Sequence, residues 1–466
     1  MKLEVKIQLL EAENAELAAS YSELKEVHSA SLEQIKLLEE KILYLLQQLE
    51  KQAVKKDSHN SHNPPSSDKG KPKRNQSLRP KTTRKTGGQT GHKGHTLAQK
   101  EQADKEVDLK SSYCNDCGED LCDLPQELVS KRQVIELPPI EPIYIQYNQY
   151  SCACPCGHTQ TANYPEDVKA PIQYGASVIA LVSYLNVYQY VAYKRLQELF
   201  TDIFHLPISQ GTIENLLNKA AAKATPVYKA ILEEIKSANC VGSDETGAKV
   251  NGQKWWIWVW QNFKNTFLTA SKSRGFKTVE AIFPEGLPIA TIVSDRLAAQ
   301  LKTSSAKKQF CLPHLFRDLN FLEEQEKNIW STHFKELLKQ ALELRAMADQ
   351  RNYAWTKGEI KIYQLEDRLN RLLARIIPKD TFPQTFTFQK AMIKGRNHLF
   401  TFLYDLEVPP DNNGSERALR NAKVKQKISG QFKSGQHTFC TLRSIIDTLR
   451  KRQLNVLEYL AKIVAI

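Results

Sequence analysis

One stretch of the chain, residues 240–295, constrains the fold more than any other. Three short segments rich in β-branched and aromatic residues follow one another there: CVGSDETGAKV, QKWWIWVWQN and NTFLTAS. Turn signals at Asn251-Gly252 and Lys264-Asn265 separate them, so the pattern predicts an antiparallel meander. A helical segment, FKTVEAIF, and a fourth strand, PIATIVSD, come next. This part of the chain therefore combines helices with a sheet.

The order strand-strand-strand-helix-strand is that of the RNase H-like fold, in which the first and fourth strands are neighbours. It would bring together Asp244, in the first strand, and Asp295, at the end of the fourth. A third acid, Glu416, lies in PPDNNGSERALR, where two prolines and Asn413 mark a helix start. We therefore expect three carboxylates at one cleft, with Glu416 in the first turn of its helix.

Three such acids suit phosphodiester chemistry. Two Mg²⁺ (or Mn²⁺) ions about 4 Å apart can activate a water or a 3′-hydroxyl and stabilise the leaving oxygen. Magnesium prefers oxygen ligands, and a bound cation relieves the repulsion among clustered carboxylates. Other interpretations stay open: Asp244 as a turn former, Glu245 as the ligand in its place, and Glu416 as an i,i+4 partner of Arg420.

Two other regions have helical periodicity. Residues 334–347 and 360–377 lie between Asp295 and Glu416, so we expect an α-helical insertion in the core. Residues 174–223 predict two helices joined by a turn at His205-Leu-Pro, the second capped by Ser209. This pair resembles a helix-turn-helix, whose second helix can enter a major groove, although its apolar residues would need a core for any function.

The first fifty residues carry a heptad repeat. Leucines recur at sevenfold spacing, at Leu3, Leu10, Leu17, Leu24, Leu38 and Leu45. One helix alone cannot bury such a seam, so it predicts a coiled coil that makes the protein a homo-oligomer. Asn14 at a seam position favours two strands in register. The alternative is an amphipathic helix folded back on its own protein.

The formal net charge of +13 is concentrated in two segments. Residues 51–100 hold thirteen Lys or Arg against two Asp, and residues 411–455 hold ten against three acidic residues. The first is polar and rich in turn formers, which predicts a flexible linker. Both suit a polyanion such as double-stranded DNA, although a solubilising tail and a solvated helix face are the alternatives. The candidate phosphate contacts are Lys71, Lys73, Arg74, Arg84, Lys85, Lys93, Arg317, Arg417, Arg420 and Lys425.

The cysteines indicate a metal rather than disulfides. Nine cysteines, an odd number, and an N-terminus without an apolar signal core predict a cytoplasmic protein. No run of eighteen apolar residues occurs, so we expect no membrane association.

Two cysteine knuckles predict a zinc-ribbon-like module. Cys114 and Cys117 flank a tight turn, and the segment Cys152-Ala-Cys154-Pro-Cys156 follows. Four thiolates form a closed structural zinc site, for which we favour Cys154 and Cys156 as the second pair, with Cys152 as the alternate. The intervening VIELPPIEPIYIQYNQYSC is expected to form strands that bring the knuckles together.

These motifs, in this order, resemble the insertion-sequence-66 family of transposases over essentially the full chain. They are the zipper, GGQTGHKGH, the two knuckles, SDET at Asp244, VSD ending at Asp295, CLPHLFR and NNGSER. The resemblance implies a DDE-type transposase with Asp244, Asp295 and Glu416 as its acidic triad, acting on an element's inverted-repeat ends and on target DNA. It also suggests small accessory proteins encoded beside it. One departure is Arg-Leu after Asp295, where Gly-Tyr is commoner.

Cys311 and His314, in CLPHLFR, could be mistaken for metal ligands. We expect them to pack and to position the helix that carries Arg317. Two other functions remain possible for the chain. One is a catalytically inactive, zinc-containing, dimeric DNA-binding regulator, and the other is an RNase H-like nuclease or resolvase.

We expect a multidomain α+β protein. Its predicted segments are a coiled coil (1–50), a basic linker (51–100), a zinc-binding module (101–165), a helix-turn-helix-like region (170–235), the RNase H-like core in two parts (236–318 and 406–466) and a helical insertion (319–405).

Overall fold

The computed structural model of the protein describes residues 2–52, 91, 93–94, 97–351 and 356–465. The chain divides into two compact units, Met1–Leu78 with Ala224–Asn455 and Arg79–Lys223 with Val456–Ile466. Five of the candidate DNA contacts lie outside the described residues, namely Lys71, Lys73, Arg74, Arg84 and Lys85. The finer division into seven segments stays a prediction.

The heptad repeat lies on one long helix, α1 (Lys2–Gln52). Its described seam residues are exposed, among them Leu10, Leu17, Leu24, Leu38 and Leu45. These exposures do not support the alternative in which the helix packs on its own chain. Self-association stays a prediction, which light scattering of the chain with and without residues 1–50 would test.

In the second unit, a short antiparallel hairpin carries the second cysteine knuckle. Its strands are β1 (Ser151–Ala153) and β2 (Thr159–Thr161). The expected strands between the knuckles are absent, since residues 125–150 form neither helix nor strand. That prediction was wrong: Val134 and Ile145 are 82% and 72% exposed, so no partner covers them, and the prolines of this segment cannot donate to a sheet.

The remaining elements of the second unit are helical. They are α2 (Ala176–Ser183), a π-helical turn (Tyr184–Tyr188), α3 (Tyr193–Phe204), α4 (Gln210–Lys223) and the last helix of the chain, α15 (Val456–Ala465). The predicted helix pair is present: the chain turns after Phe204, and the Thr212 N–H donates to Ser209 Oγ at 3.1 Å. Ile213 and Leu217 are buried. Base recognition by α4 stays a prediction.

A five-stranded mixed sheet is the centre of the first unit. After α5 (Thr225–Lys236) come β3 (Cys240–Val250), β4 (Gln253–Gln261), β5 (Thr266–Ser271), α6 (Phe276–Ile282), β6 (Leu287–Ser294), α7 (Ala298–Lys302) and β7 (Ser305–Phe310). The strand order is β5-β4-β3-β6-β7. β3, β4 and β5 are antiparallel neighbours, and β6 lies parallel to β3. The predicted meander and the adjacency of the first and fourth strands are both observed.

The register of β3 determines what lies at the edge of the sheet. β3 pairs with β4 from Gly242 to Val250, but with β6 only from Cys240 to Gly242. The Asn251-Gly252 turn has φ of 45° and 77°, the left-handed pair that a tight hairpin requires. The second half of β3 therefore extends beyond β6, and Asp244 lies where the two strands separate.

The fifth strand, β7, was not predicted. Its sequence, SAKKQF, has no apolar alternation, and Lys307 is exposed. It is a strand because it pairs in parallel with β6, from Thr291↔Lys307 to Ser294↔Phe310. Pairing with a neighbouring strand, rather than local sequence preference, determines the secondary structure of such a segment.

Helices fill the predicted insertion. They are α8 (Leu312–Glu326), α9 (Ile329–Arg351), α10 (Thr356–Leu373), α11 (Pro383–Lys394), a 3₁₀ turn (Arg396–His398) and α12 (Thr401–Tyr404). Their buried side chains form one core with Val293 and Phe310 of the sheet. Arg345, 8% exposed, donates to backbone carbonyls at Phe402, Leu406 and Val408. This arginine ties α9 to the segment that leads to Glu416.

The last two helices of the first unit, α13 (Asn413–Ser429) and α14 (Gln436–Lys451), pack on the sheet. β5 is an edge strand, and α14 satisfies its backbone. The Leu268 N–H donates to Ser444 Oγ at 2.8 Å, and the Thr266 N–H donates to Thr448 Oγ1 at 3.1 Å. A covered edge cannot pair with another chain, so the sheet ends here.

Candidate active site

Three carboxylates converge where β3 and β6 separate. Asp244 and Glu245 are consecutive in β3, and Asp295 directly follows β6. One oxygen from each lies within 4.8 Å of the others. Among the described residues, this is the group of His, Cys, Asp and Glu side chains that could hold a metal ion. The structure thus brings two predicted residues together and adds Glu245, which the sequence offered only in place of Asp244.

The surroundings favour the neutral forms of Asp244 and Glu245 when no cation is bound. Burial, then the charges of Asp295 and Glu245, raise the pKa of Asp244 well above its usual range. Burial and the charge of Asp295 also raise the pKa of Glu245. A divalent cation would reverse this preference, because it offsets the mutual repulsion of the carboxylates. Carboxylate oxygens are hard donors, and such donors fit magnesium or manganese.

Glu245 differs from Asp244 in having a cation of its own. Arg274 donates to Glu245 Oε1 through Nε at 2.9 Å and Nη2 at 2.8 Å, and Gln300 Nε2 donates to Oε2 at 3.3 Å. The Glu245 side chain is 2% exposed. Asp244 Oδ1 accepts the Glu245 backbone N–H at 2.8 Å. Glu245 is therefore paired with a cation of the protein, whereas the charges that act on Asp244 are those of Asp295, Glu245 and Glu416.

Glu416 lies in the first turn of α13, as predicted, and beside the acidic group rather than within it. Its Oε1 is 3.8 Å from Nε2 of His314, in the first turn of α8. Its charge contributes to the raised pKa of Asp244. Glu416 thus acts on the same site, although the 4.8 Å group does not include it.

Asn412 links the elements that carry these acids. Its Nδ2 donates to the Ser243 carbonyl at 2.7 Å, one residue before Asp244. Its Oδ1 accepts from Ser415 Oγ at 2.6 Å, and its N–H donates to Cys311 Sγ at 3.2 Å. Cys311 is the residue before α8 and is buried, so it packs and positions, as expected.

Two glycines permit this close docking of α13 on the sheet. A Cβ on Gly242 would lie 2.6 Å from Asn412 Oδ1 and 2.8 Å from Ser415 Oγ. A Cβ on Gly414 would lie 2.5 Å from Gln261 Nε2. Gln261 is held in turn by Lys451, whose Nζ donates to its Oε1 at 2.8 Å. Burial lowers the pKa of Lys451 to about 7.

An arginine, Arg296, follows Asp295 at the position where glycine is commoner, and this has a conformational consequence. Arg296 has φ of 61°, the left-handed region that favours glycine. Its guanidinium pairs with Asp318 of α8 and lies over the Phe388 ring, 5.4 Å from the centroid. These contacts hold an arginine in a backbone conformation that it adopts at some cost.

The candidate DNA contacts differ in exposure. Lys93, Arg417 and Arg420 are exposed, and Arg317 is half-buried on α8. Lys425 is half-buried, and burial lowers its pKa to about 8. Lys423 is exposed, and its Nζ donates to the Gly247 carbonyl at 2.9 Å.

The two cysteine knuckles form tight turns, each with glycine in the left-handed region, at Gly118 and Gly157. The Gly118 N–H donates to the Cys114 carbonyl at 2.9 Å, and the Gly157 N–H donates to the Cys154 carbonyl at 2.8 Å. The turns place Cys117 beside Cys114, and Cys156 beside Cys154. Hydrogen bonding with Cys117 lowers the pKa of Cys114, and hydrogen bonding with Cys154 lowers the pKa of Cys156. Among the residues described, however, the two pairs do not form a single four-thiolate group.

The turn geometry supports Cys154 and Cys156, over Cys152, as the second zinc pair. We expect one zinc per chain, since metal would supply folding energy to a module whose side chains are largely exposed. Cys114→Ser should lose the zinc and loosen residues 101–165, as metal analysis and hydrogen exchange would show. Cys122→Ser, which removes a cysteine outside both pairs, is the control. A zinc-free wild-type protein with a protected module would contradict the prediction.

The comparison with protein families bears on the whole arrangement. The model described as "Transposase IS66 family" matches residues 171–438, more than half of the chain. The chain belongs to this family. The match includes Asp244, Asp295 and Glu416, and so covers the site just described.

A second part of the transposase matches another model. Residues 4–98 match a "Family of unknown function (DUF6444)", which spans most of α1 and the basic segment. No curated protein matches the transposase. Within the described ranges, no helix is long and apolar enough to span a membrane.

Sequence reasoning did not find several residues that shape the transposase site. Three of them are Arg274, Gln300 and Gln261. Their segments predict turns, short helices or strands, and nothing in those patterns indicates a site residue. Asn412 lay within the recognised NNGSER motif, but its partners Ser243 and Cys311 are far away in sequence. A signal existed for Gly242 alone, since a glycine inside a strand indicates a close approach of another backbone.

Proposed function

We propose that this transposase cuts DNA at the ends of its element and joins them to target DNA by a metal-dependent DDE mechanism. The observation that carries the proposal is the convergence of Asp244 and Asp295 at the point where β3 and β6 separate, with Glu416 beside them. The strand order, with the first and fourth strands adjacent, is the one expected for an RNase H-like core.

Each acidic residue has a role in this proposal. Asp244, Asp295 and Glu416 would hold two magnesium or manganese ions, which supply nucleophile activation and leaving-group stabilisation. Glu245, paired with Arg274, would orient the middle of β3, next to Asp244, rather than bind metal. His314 would fix the Glu416 carboxylate from the opposite helix. Asn412 would keep α13 in register with β3.

DNA would approach along the cationic face of α13. Arg417 and Arg420 are exposed and lie one and four residues beyond Glu416. Cations at this distance can hold phosphates without reading sequence. Double-stranded element ends and target DNA are thus the proposed substrates, and the described knuckles would carry a structural zinc.

Strand transfer distinguishes the proposed function from its rivals. Purified full-length protein is incubated with Mg²⁺ and DNA that carries the element's ends, together with a supercoiled target plasmid. The transposase should produce 3′-end cleavage and joined products, and both should disappear with EDTA. A nuclease or resolvase would yield no strand-transfer products, and an inactive regulator would only bind. Either result would overturn the proposal.

A further inference from the structure

A cationic cleft lies in the helical insertion, outside the acidic site. It has a volume of about 550 Å³ and is lined by His333, Arg368, Arg371, Leu372 and Arg375. His333 is in α9, whereas the other residues lie in α10 or directly after it. Neither the acidic site nor the α13 face includes any of these residues.

Buried side chains hold the backbone beneath the cleft through hydrogen bonds. Buried Trp330 donates through Nε1 to the Leu372 carbonyl at 2.8 Å. Gln389, 4% exposed, donates to the carbonyls of Leu373 at 3.1 Å and Arg375 at 2.8 Å. Buried side chains thus satisfy the carbonyls at the end of α10. The arginines of the cleft are therefore not needed as hydrogen-bond donors to these carbonyls.

Positive charge exceeds negative charge at this cleft. Arg368 donates to a neutral partner, Gln340 Oε1, at 2.7 Å. Arg375 Nη1 donates to His333 Nδ1 at 3.4 Å, so its partner is also a neutral acceptor. Among these interactions the acidic partner is Asp367, which pairs with Arg371 at 2.8 Å, and both side chains are more than half exposed. Such an exposed pair is weak and screened by salt, so an anion can replace it.

The chemistry of the lining selects the kind of anion. Guanidinium groups match phosphate oxygens through paired N–H donors. The lining contains no Phe, Tyr or Trp on which a base could stack. The cleft therefore fits a sugar–phosphate backbone better than a free nucleotide.

We propose that this cleft binds backbone phosphates of duplex DNA, as a contact separate from the acidic site. The choice of DNA as ligand rests on the proposed function. Contact through the insertion would be independent of sequence and would help to hold a duplex whose end lies at the acidic residues.

The test compares two charge-matched double variants of the full-length protein. Arg371→Gln with Arg375→Gln removes two cleft charges, and Lys361→Gln with Lys394→Gln removes two exposed charges outside it. Binding of a fluorescent random-sequence duplex is measured in EDTA over a range of salt concentrations. The cleft variant should reduce the slope of log affinity against log salt by about two, since each phosphate contact contributes ~0.9. The control pair should leave the slope unchanged.

Several outcomes would overturn the proposal. An unchanged slope would do so, and so would an equal reduction in both double variants, which would show a general charge effect. A fall in Tm with an unchanged slope would show that the arginines only stabilise the end of α10. If the double variant does not fold, two other variants replace it. Arg375→Gln should reduce the slope by about one. The charge-preserving Arg371→Lys with Arg375→Lys should leave the slope unchanged. Because binding in EDTA needs no cleavage, failure here leaves the proposed chemistry untouched.

Discussion

Replacing Asp295 by Asn is expected to lower Mg²⁺-dependent cleavage and strand transfer by at least about a thousandfold, or ~4 kcal/mol of barrier. The change preserves the shape of the side chain and removes the charge that a metal ion requires. It also removes a main negative neighbour of Asp244, so the raised pKa of Asp244 should fall toward its usual range. DNA binding should survive, or tighten as repulsion between carboxylate and phosphate decreases.

The measurement is paired, with gel-shift affinity and 3′-end cleavage on the same purified variants. Asp244→Asn and Glu416→Gln should behave as Asp295→Asn does. Glu245→Gln is the matched control: it lies in the same group, but it is already paired with Arg274, so its effect should be milder. Near-normal cleavage by Asp295→Asn would remove that residue from the site. An equally severe loss in Glu245→Gln would make Glu245 a ligand.

Replacing Asn412 by Ala should reduce cleavage by about 10- to 100-fold, the usual effect of losing a group that orients metal ligands. The Ser243 carbonyl and the Ser415 hydroxyl would each lose a buried partner, so α13 would no longer be fixed against β3. Leaving such a group unsatisfied also costs roughly 1–3 kcal/mol of folding stability.

A positioning role predicts a specific kinetic signature. The Mg²⁺ concentration that gives half-maximal cleavage should rise in Asn412→Ala, while affinity for DNA measured in EDTA stays constant. Asn413→Ala, at the neighbouring asparagine, controls for a general effect on the start of α13. If Asn412→Ala is merely less stable and its Mg²⁺ dependence is unaltered at a temperature where it is folded, the residue only supports the fold.

Several elements followed from sequence because local patterns determine them. The Asn251-Gly252 turn, the three strands around it and the capped helix after Ser209 all appear where they were expected. The strand order also placed Asp244 and Asp295 on adjacent strands. Zinc binding, self-association and DNA contacts were predicted in the same way and stay predictions.

Where the sequence-based prediction of strands failed, pairing with a neighbouring segment of the chain was the deciding factor. Residues 131–150 contain β-forming side chains, but large ones such as Val134 and Ile145 are exposed, and the segment does not form strands. The reverse holds for β7, whose polar sequence becomes a strand because β6 pairs with it.

The sequence by itself determined which acids are available and on which kinds of element they lie. Only the tertiary structure decided how those acids are arranged: Glu245 inside the group but paired with Arg274, and Glu416 beside it near His314. The physical reason is separation along the chain. Asn412 and Ser243 are 169 residues apart, and no local periodicity reports a hydrogen bond at that distance. Such contacts form when helices dock on a sheet, and that docking depends on the packing of the whole core.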